Sequence, residues 1–295
     1  MATSQANIAA SFKTILFATD FSSSSQAALP YVVSLAHRFA SKVIAAHAVA
    51  LEPLAGITPA PPAPAIDLEW QDAKEGMQAF QDTQVFTGLR HEFILERGDP
   101  MGVISDLIKN EAVDLVVLGT HGRKGLRKLF AGSVAEEIFR TATCPILTVG
   151  PGAESGPPQD WKPSLVLFAT DFSRGSLHAL PLAVSFAEEN QAALLLLHVV
   201  PLVPWEQQPE MAQDYEQRLR KLIPEDAAHR GKIECAVRFN LAAPGILAVA
   251  EEKQAGLVVL GVHRAVLPRL DSHVPWSTAY EVVSNAHCPV LTVRG

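Results

Sequence analysis

Glycine spacing is where this sequence first suggests chemistry. Gly119-Thr120-His121-Gly122 is followed, after nine intervening residues, by Gly132-Ser133. The apolar run Leu115-Val116-Val117-Leu118 precedes the motif, and Val134-Ala135-Glu136-Glu137-Ile138 follows it. The pattern reads as strand, glycine turn, long loop and helix start. Glycine lets backbone approach a bulky anion closely, and the unpaired N–H groups of a helix start attract phosphate. Gly119 and Gly122 alone would read as a strand-end turn. Joined to Gly132-Ser133 they read as a phosphate cradle, with Ser133 able both to cap the helix and to face a phosphate. The cradle follows neither the G-x-G-x-x-G fingerprint nor the G-x-x-x-x-G-K-[ST] loop. His121 lies inside the loop, and Arg123, Lys124, Arg127 and Lys128 add four cations to it. These read either as a solvated run or as added attraction for an anion.

Groups for covalent or hydrolytic chemistry do not accompany the cradle. The sequence has no Gly-x-Ser-x-Gly elbow and no His/Cys spacing of the zinc type. Phosphoryl transfer would need a positioned water and a metal as well, and no recognisable spacing supplies the water-activating group. The catalytic set is therefore empty.

The elements that must hold the cradle occur twice. Ile15-Leu16-Phe17-Ala18-Thr19-Asp20-Phe21-Ser22 returns as Val166-Leu167-Phe168-Ala169-Thr170-Asp171-Phe172-Ser173. Cys144-Pro145-Ile146-Leu147-Thr148-Val149 returns as Cys288-Pro289-Val290-Leu291-Thr292-Val293, Leu115–Gly119 as Leu257–Gly261, and His47 as His198. Whole domains, not short units, are repeated. We place them at 1–152 and 160–295, joined by the Gly-, Pro- and Ser-rich stretch around 150–163. The second copy has lost the cradle. Its loop begins Gly261-Val262-His263-Arg264, so Arg264 replaces Gly122. Counting back from Cys288, Trp276 takes the place of Gly132 and Ser277 that of Ser133. An indole and an added Cβ stand where backbone must meet phosphate. The second domain is thus expected either to be structural or to hold another, more apolar ligand around Trp276.

Composition sets the outer limits. A chain of 295 residues suits two domains, each with its own core. A net charge of −7 argues against non-specific nucleic-acid binding, which needs a basic face. Three cysteines make no disulfide framework, and Cys144 and Cys288 read as small buried apolar residues. No signal-peptide pattern opens the sequence. The longest apolar run, 192–203, contains His198 and is too short to span a bilayer. The expected setting is the cytoplasm, with no membrane partner.

Strands are expected at Lys13–Thr19, Lys42–Val49, Leu89–Glu96, 115–118 and 145–149. Helices are expected at Ser22–Ala40, Asp67–Gln84, Met101–Asn110 and from Gly132. Ala28, Val32, Leu35 and Ala36 form one helix face, with Ser22 or Ser23 as N-cap. Leu51–Pro64 reads as a connection or as a lid over a bound base. Apolar runs on both strand faces, alternating with helices, make a parallel α/β sheet. Ligands of such sheets sit beyond the carboxyl ends of strands where the order reverses. If the first and fourth strands are neighbours, Asp20 and the glycine loop line one crevice. Asp20 is equally readable as a helix cap, because Asp171 keeps its position beside a broken loop. His47 and His198 read as core histidines at strand ends.

Taken together, the Gly-x2-Gly-x9-Gly-Ser motif, the Thr-Asp-Phe-Ser strand end and the Cys-Pro-Ile-Leu-Thr-Val strand resemble the universal stress proteins, twice over and across nearly the whole chain. The resemblance implies tandem open five-stranded parallel-sheet sandwiches, Rossmann-like and of the adenine-nucleotide-binding HUP type. In that family the glycine motif marks the ATP-binding branch. The resemblance implies ATP as ligand of the first domain, with Mg only through the nucleotide and Asp20. It implies contacts from Ala18, Thr19, Asp20, the Ala48 backbone, Leu118, Gly119, His121, Gly122, Arg123, Gly132, Ser133 and Val134. Ala18 departs from the proline common there in nucleotide-binding relatives. Binding is expected to serve a stress-response sensor or regulator. The alternatives are a weak metal-dependent ATPase or phosphotransferase, and a scaffold with a vestigial site. The family's last strands commonly pair between protomers. Here 145–149 and 289–293 can pair within one chain as an internal pseudo-dimer, and a homodimer is compatible with that.

Overall fold

The computed structural model describes residues 12–50, 63–119, 138, 141–153, 160–223, 232–262 and 275–295, with only the backbone described at 63–67 and 275–277. The chain divides into two compact units. Among the described residues, one comprises Phe12–Ile146 with Asp160 and Trp161, and the other Lys162–Gly295 with 147–153.

The first unit alternates strand and helix. Its elements are β1 (Thr14–Ala18), α1 (Ser23–Ala27), α2 (Leu29–Phe39), β2 (Lys42–Val49), α3 (Ala63–Asp82), β3 (Arg90–Arg97), α4 (Pro100–Asn110) and β4 (Leu115–Gly119). The short strand β5 (Ile146–Val149) lies at the division. The strands pair in parallel in the order β3-β2-β1-β4, with Ile15 opposite Val43 and Leu115 and Ala45 opposite Phe93. Strands covered on both faces should be apolar throughout. Ile15, Leu16, Phe17, Leu115, Val116 and Val117 accordingly have no exposed surface. Ala28, Val32, Leu35 and Ala36 are likewise fully buried, so the helix face read from their spacing is the one the fold uses.

The second unit repeats this plan. Its elements are β6 (Leu165–Ala169), α5 (Arg174–Leu177), α6 (Leu180–Asn190), β7 (Ala193–Val200), α7 (Gln208–Arg220), β8 (Ile233–Phe239), α8 (Ala242–Glu252), β9 (Leu257–Val262), α9 (Pro275–Asn285) and β10 (Val290–Arg294). Its strands β10, β9, β6, β7 and β8 pair in parallel in that order. The chain is thus an α/β protein with the same Rossmann-like plan twice.

Two expected elements differ in extent. The helix expected at Ser22–Ala40 is two helices, broken at Ala28. Pro30 has no N–H to continue the α1 ladder and instead opens α2 at a first-turn position. Pro181 does the same between α5 and α6. Ser22 is the N-cap, its hydroxyl accepting from the Ser25 N–H at 3.2 Å. The helix expected from Asp67 begins at Ala63, so the preceding connection is shorter than 51–64. Residues 51–62 lie outside the described residues, and with them the lid reading.

Candidate functional site

Strand order reverses beside β1. The chain moves from β1 to β2 and β3 on one side, then returns to place β4 on the other. Phe17 stands opposite Val117, so the ends Ala18-Thr19-Asp20 and Leu118-Gly119 emerge from adjacent parallel strands. This is the switch point where such sheets bind ligands. Ala48 lies near the end of β2, on the other side of β1, opposite Glu96 of β3.

A local network shapes the β1 end. Thr19 is buried, and its hydroxyl lies 2.9 Å from that of Ser25. The same Thr19 oxygen accepts from the Phe21 N–H at 3.0 Å, and Asp20 Oδ1 accepts from the Ser22 N–H at 3.0 Å. Phe21 takes a left-handed backbone, φ 59. That rare conformation turns the chain sharply into α1. His47 Nδ1 donates to the Thr19 carbonyl at 2.8 Å. A carbonyl can only accept, so the ring proton is on Nδ1 and the histidine acts as a brace. Its ring rests on Phe21, with centroids 4.8 Å apart. The Asp20 carboxylate therefore serves the turn through Oδ1.

Gly119 has a requirement of its own. A Cβ there would lie 2.1 Å from the Ser24 carbonyl oxygen and 3.0 Å from Ser25 Cα. The backbone of α1 crosses the end of β4 at van der Waals contact, and only glycine fits. Gly261 shows the same demand, its Cβ position lying 2.4 Å from the Gly175 oxygen and from Ser176 Cα. Since the second copy lacks the rest of the glycine motif, this first glycine is a packing residue in both halves. Phosphate binding is not needed to account for it.

Of the sequence-expected site residues, Ala18, Thr19, Asp20, Leu118 and Gly119 come together at the switch point, with Ala48 on the next strand. His121, Gly122, Arg123, Gly132, Ser133 and Val134 lie outside the described residues. Among described residues, no group of three or more His, Cys, Asp or Glu forms a metal-holding cluster. Phe21, Ser25 and His47 also organise the site, although the sequence reading did not assign them to it. Their signal was the exact return of Phe21 and His47 as Phe172 and His198. Farther along the carboxyl edge, Trp70 of α3 carries the Arg97 guanidinium over its ring at 4.6 Å and Lys74 at 5.5 Å.

The second domain copies the network. Thr170 and Ser176 hydroxyls lie 2.8 Å apart, and Phe172 N–H donates to Thr170 Oγ1 at 2.9 Å. Asp171 Oδ1 accepts from Ser173 N–H at 2.9 Å, and His198 Nδ1 donates to the Thr170 carbonyl at 2.7 Å. Phe172 repeats the left-handed backbone of Phe21, with φ 62. What differs is the cover. Phe21 meets Gly76 and Phe80 of α3, and a Cβ at Gly76 would lie 2.8 Å from the Phe21 ring. Phe172 instead stacks on Tyr215 of α7 at 5.9 Å and carries the Arg218 guanidinium at 4.3 Å.

Cys144 and Cys288 sit just before the last strands of the two copies. Burial pushes the Cys144 thiol up to about 11 and the Cys288 thiol up to about 12. Both thiols are therefore protonated at neutral pH, which leaves little of the reactive thiolate.

A parallel sheet whose strand order reverses beside a close-packed glycine, built twice, defines a tandem Rossmann-like fold. The model of the Universal stress protein family matches residues 11–150 and again 164–294, and the chain belongs to that family. It is 28% identical over 139 residues to universal stress protein MJ0531 of Methanocaldococcus jannaschii, covering 47% of this chain and 82% of that protein. It is 29% identical over 146 residues to universal stress protein YxiE of Bacillus subtilis, covering 47% of this chain and 99% of that protein. A universal stress protein of Archaeoglobus fulgidus shares the fold over 96% of this chain and 98% of its own, with TM-score 0.69 at 20% identity. Among described residues, no helix is long and apolar enough to cross a membrane.

Proposed function

We propose that the first domain, 1–152, binds ATP at the β1/β4 switch point, and that the chain acts in the cytoplasm as a nucleotide-dependent stress-response sensor or regulator. The observation that carries this reading is the parallel pairing of β1 with β4, so that the chain leaves the two strands at Asp20 and at the start of the Gly119–Ser133 motif from neighbouring positions. In this reading the described residues take the following roles. Asp20 uses Oδ1 in the turn. Its Oδ2 can turn to a ribose hydroxyl or to water on a nucleotide-bound Mg. The half-buried backbone at Ala48 offers polar groups for a base edge. Gly122, Gly132 and the Ser133 N–H and hydroxyl would hold the phosphates, with His121 and Arg123 beside them and Leu118 and Val134 as flanks. No residue is assigned to water activation, so the action is binding.

The second domain, 160–295, is proposed not to bind ATP in this way. Trp276 falls within the first turn of α9, where the motif needs glycine. The two domains are proposed to associate through their apolar last strands, β5 and β10, as an internal pseudo-dimer, because sheet edges need cover.

Mass spectrometry of small molecules released by denaturing the purified chain tests the nucleotide. One equivalent of adenine nucleotide per chain is expected. A chain free of nucleotide that shows no thermal stabilisation by added Mg-ATP overturns the reading.

A further inference from the structure

The cover over the second domain's strand ends contains a titratable group. His198 is buried at the end of β7, with 9% of its surface exposed. Its ring centroid lies 4.4 Å from Tyr215 and 4.7 Å from Phe172. Arg218, one turn along α7 from Tyr215, lays its guanidinium over both aromatic rings, 4.3 Å from Phe172 and 5.1 Å from Tyr215. The four side chains form one stack that fastens α7 to the carboxyl edge of β6 and β7.

Charges around the imidazole are unequal. Arg218 faces it from α7, and Asp171 faces it from the turn after β6. From β8, Val237 stands opposite His198, and the neighbouring Arg238 is engaged by Glu252 of α8 at 2.8 Å. Nδ1 already donates to the Thr170 carbonyl, so an added proton must go to Nε2. The charged ring would be buried beneath two half-buried aromatic rings and beside the guanidinium of the exposed Arg218.

We propose that the Phe172–His198–Tyr215–Arg218 stack is an acid-sensitive latch, holding α7 against the second domain while His198 is neutral and loosening it when His198 takes a proton. Burial, followed by the Arg218 charge, holds the His198 ring below its ordinary 6.5, against a raising pull from the Thr170 carbonyl and Asp171. The unfolded or released ring would take its proton near the ordinary value. The latch is therefore at full strength above 6.5 and weakens as pH falls from there toward the folded-state value. In the first domain, the corresponding Phe21 packs instead against Gly76 and Phe80 of α3.

Hydrogen exchange on the full chain, corrected for intrinsic rates and compared at about pH 7.5 and about pH 5, tests the latch. Protection of 208–220 should fall about tenfold or more at the lower pH, while β6 and β9 stay protected. His198→Phe, which cannot be protonated, should keep α7 protected at both. Arg218→Gln alters an exposed side chain, and in a ring-labelled histidine NMR titration it should move the His198 midpoint upward and shrink the acid response. Equal α7 protection of the wild type at the two pH values overturns the proposal. So does a His198 midpoint at or above 6.5 in the wild type, or a folded His198→Phe chain that loosens as the wild type does.

Discussion

The two copies agree at the turn that follows their first strand and disagree at everything that covers it. Thr19, Asp20, Phe21, Ser22 and His47 make the same hydrogen bonds as Thr170, Asp171, Phe172, Ser173 and His198. The hydroxyl pair lies at 2.9 Å in the first copy and 2.8 Å in the second, and the histidine bond at 2.8 Å and 2.7 Å. A half with the glycine motif and a half without it thus keep one network. The network belongs to the fold: it turns the chain from strand to helix and braces the neighbouring strand. What separates the halves lies around that network. The first has the glycine loop and a Gly76–Phe80 cover, whereas the second has Trp276 at a helix start and a Tyr–Arg cover. Comparing copies inside one chain therefore separates scaffold from specialised surface without any second protein.

The comparison is broken most severely at the shared glycines. At each, a new Cβ would meet helix backbone that cannot step aside. Gly119→Val and Gly261→Val should each cost about 3 kcal/mol or more. Urea unfolding of both variants checks this. A Gly119→Val chain of unchanged stability would show that this glycine is not held by packing. Gly132→Val should leave stability within about 1 kcal/mol and weaken ATP binding about a hundredfold or more by calorimetry. Trp276→Ala should leave ATP binding unchanged. Equal losses in the two variants would place nucleotide in both halves.

Smaller effects sharpen the likeness. Each network threonine supplies the oxygen for the following aromatic residue's N–H. Thr19→Val and Thr170→Val leave that donor unpaired and should each cost about 2 kcal/mol. Matching losses in thermal unfolding are expected, and a ratio far from one would show that the networks are not equivalent. The smallest effect separates the copies again. Asp99 caps α4, accepting from the Gly102 N–H at 2.8 Å, while α8 starts at Leu241 with no side-chain cap. Asp99→Ala should cost about 1 kcal/mol and Asn240→Ala less. Chemical denaturation resolves the two.

Much of this arrangement was legible in the residues. The repeat, the alternation of strand and helix, the Ala28–Ala36 face and the N-cap at Ser22 follow from local rules of periodicity, side-chain size and capping, which depend on neighbours a few positions away. Pro30 was legible too, since a residue without an N–H opens a new helix and divides the expected single one at Ala28. The glycine spacing pointed to a cradle, yet it could not say that Gly119 is held to glycine by the Ser24 backbone. That contact joins residues far apart in the sequence and exists only because β1 and β4 are paired. Likewise the sequence marked His47 and His198 as a matched pair of strand-end histidines. It could not tell that the phenylalanine beside one packs on Gly76 and Phe80, while the other lies beside a tyrosine and a guanidinium. Which side chain covers which ring depends on how a crossover helix is rotated and shifted on its sheet, and packing against distant strands sets that. Local pattern determined the elements and their inward faces; only the tertiary structure decided what each strand end meets.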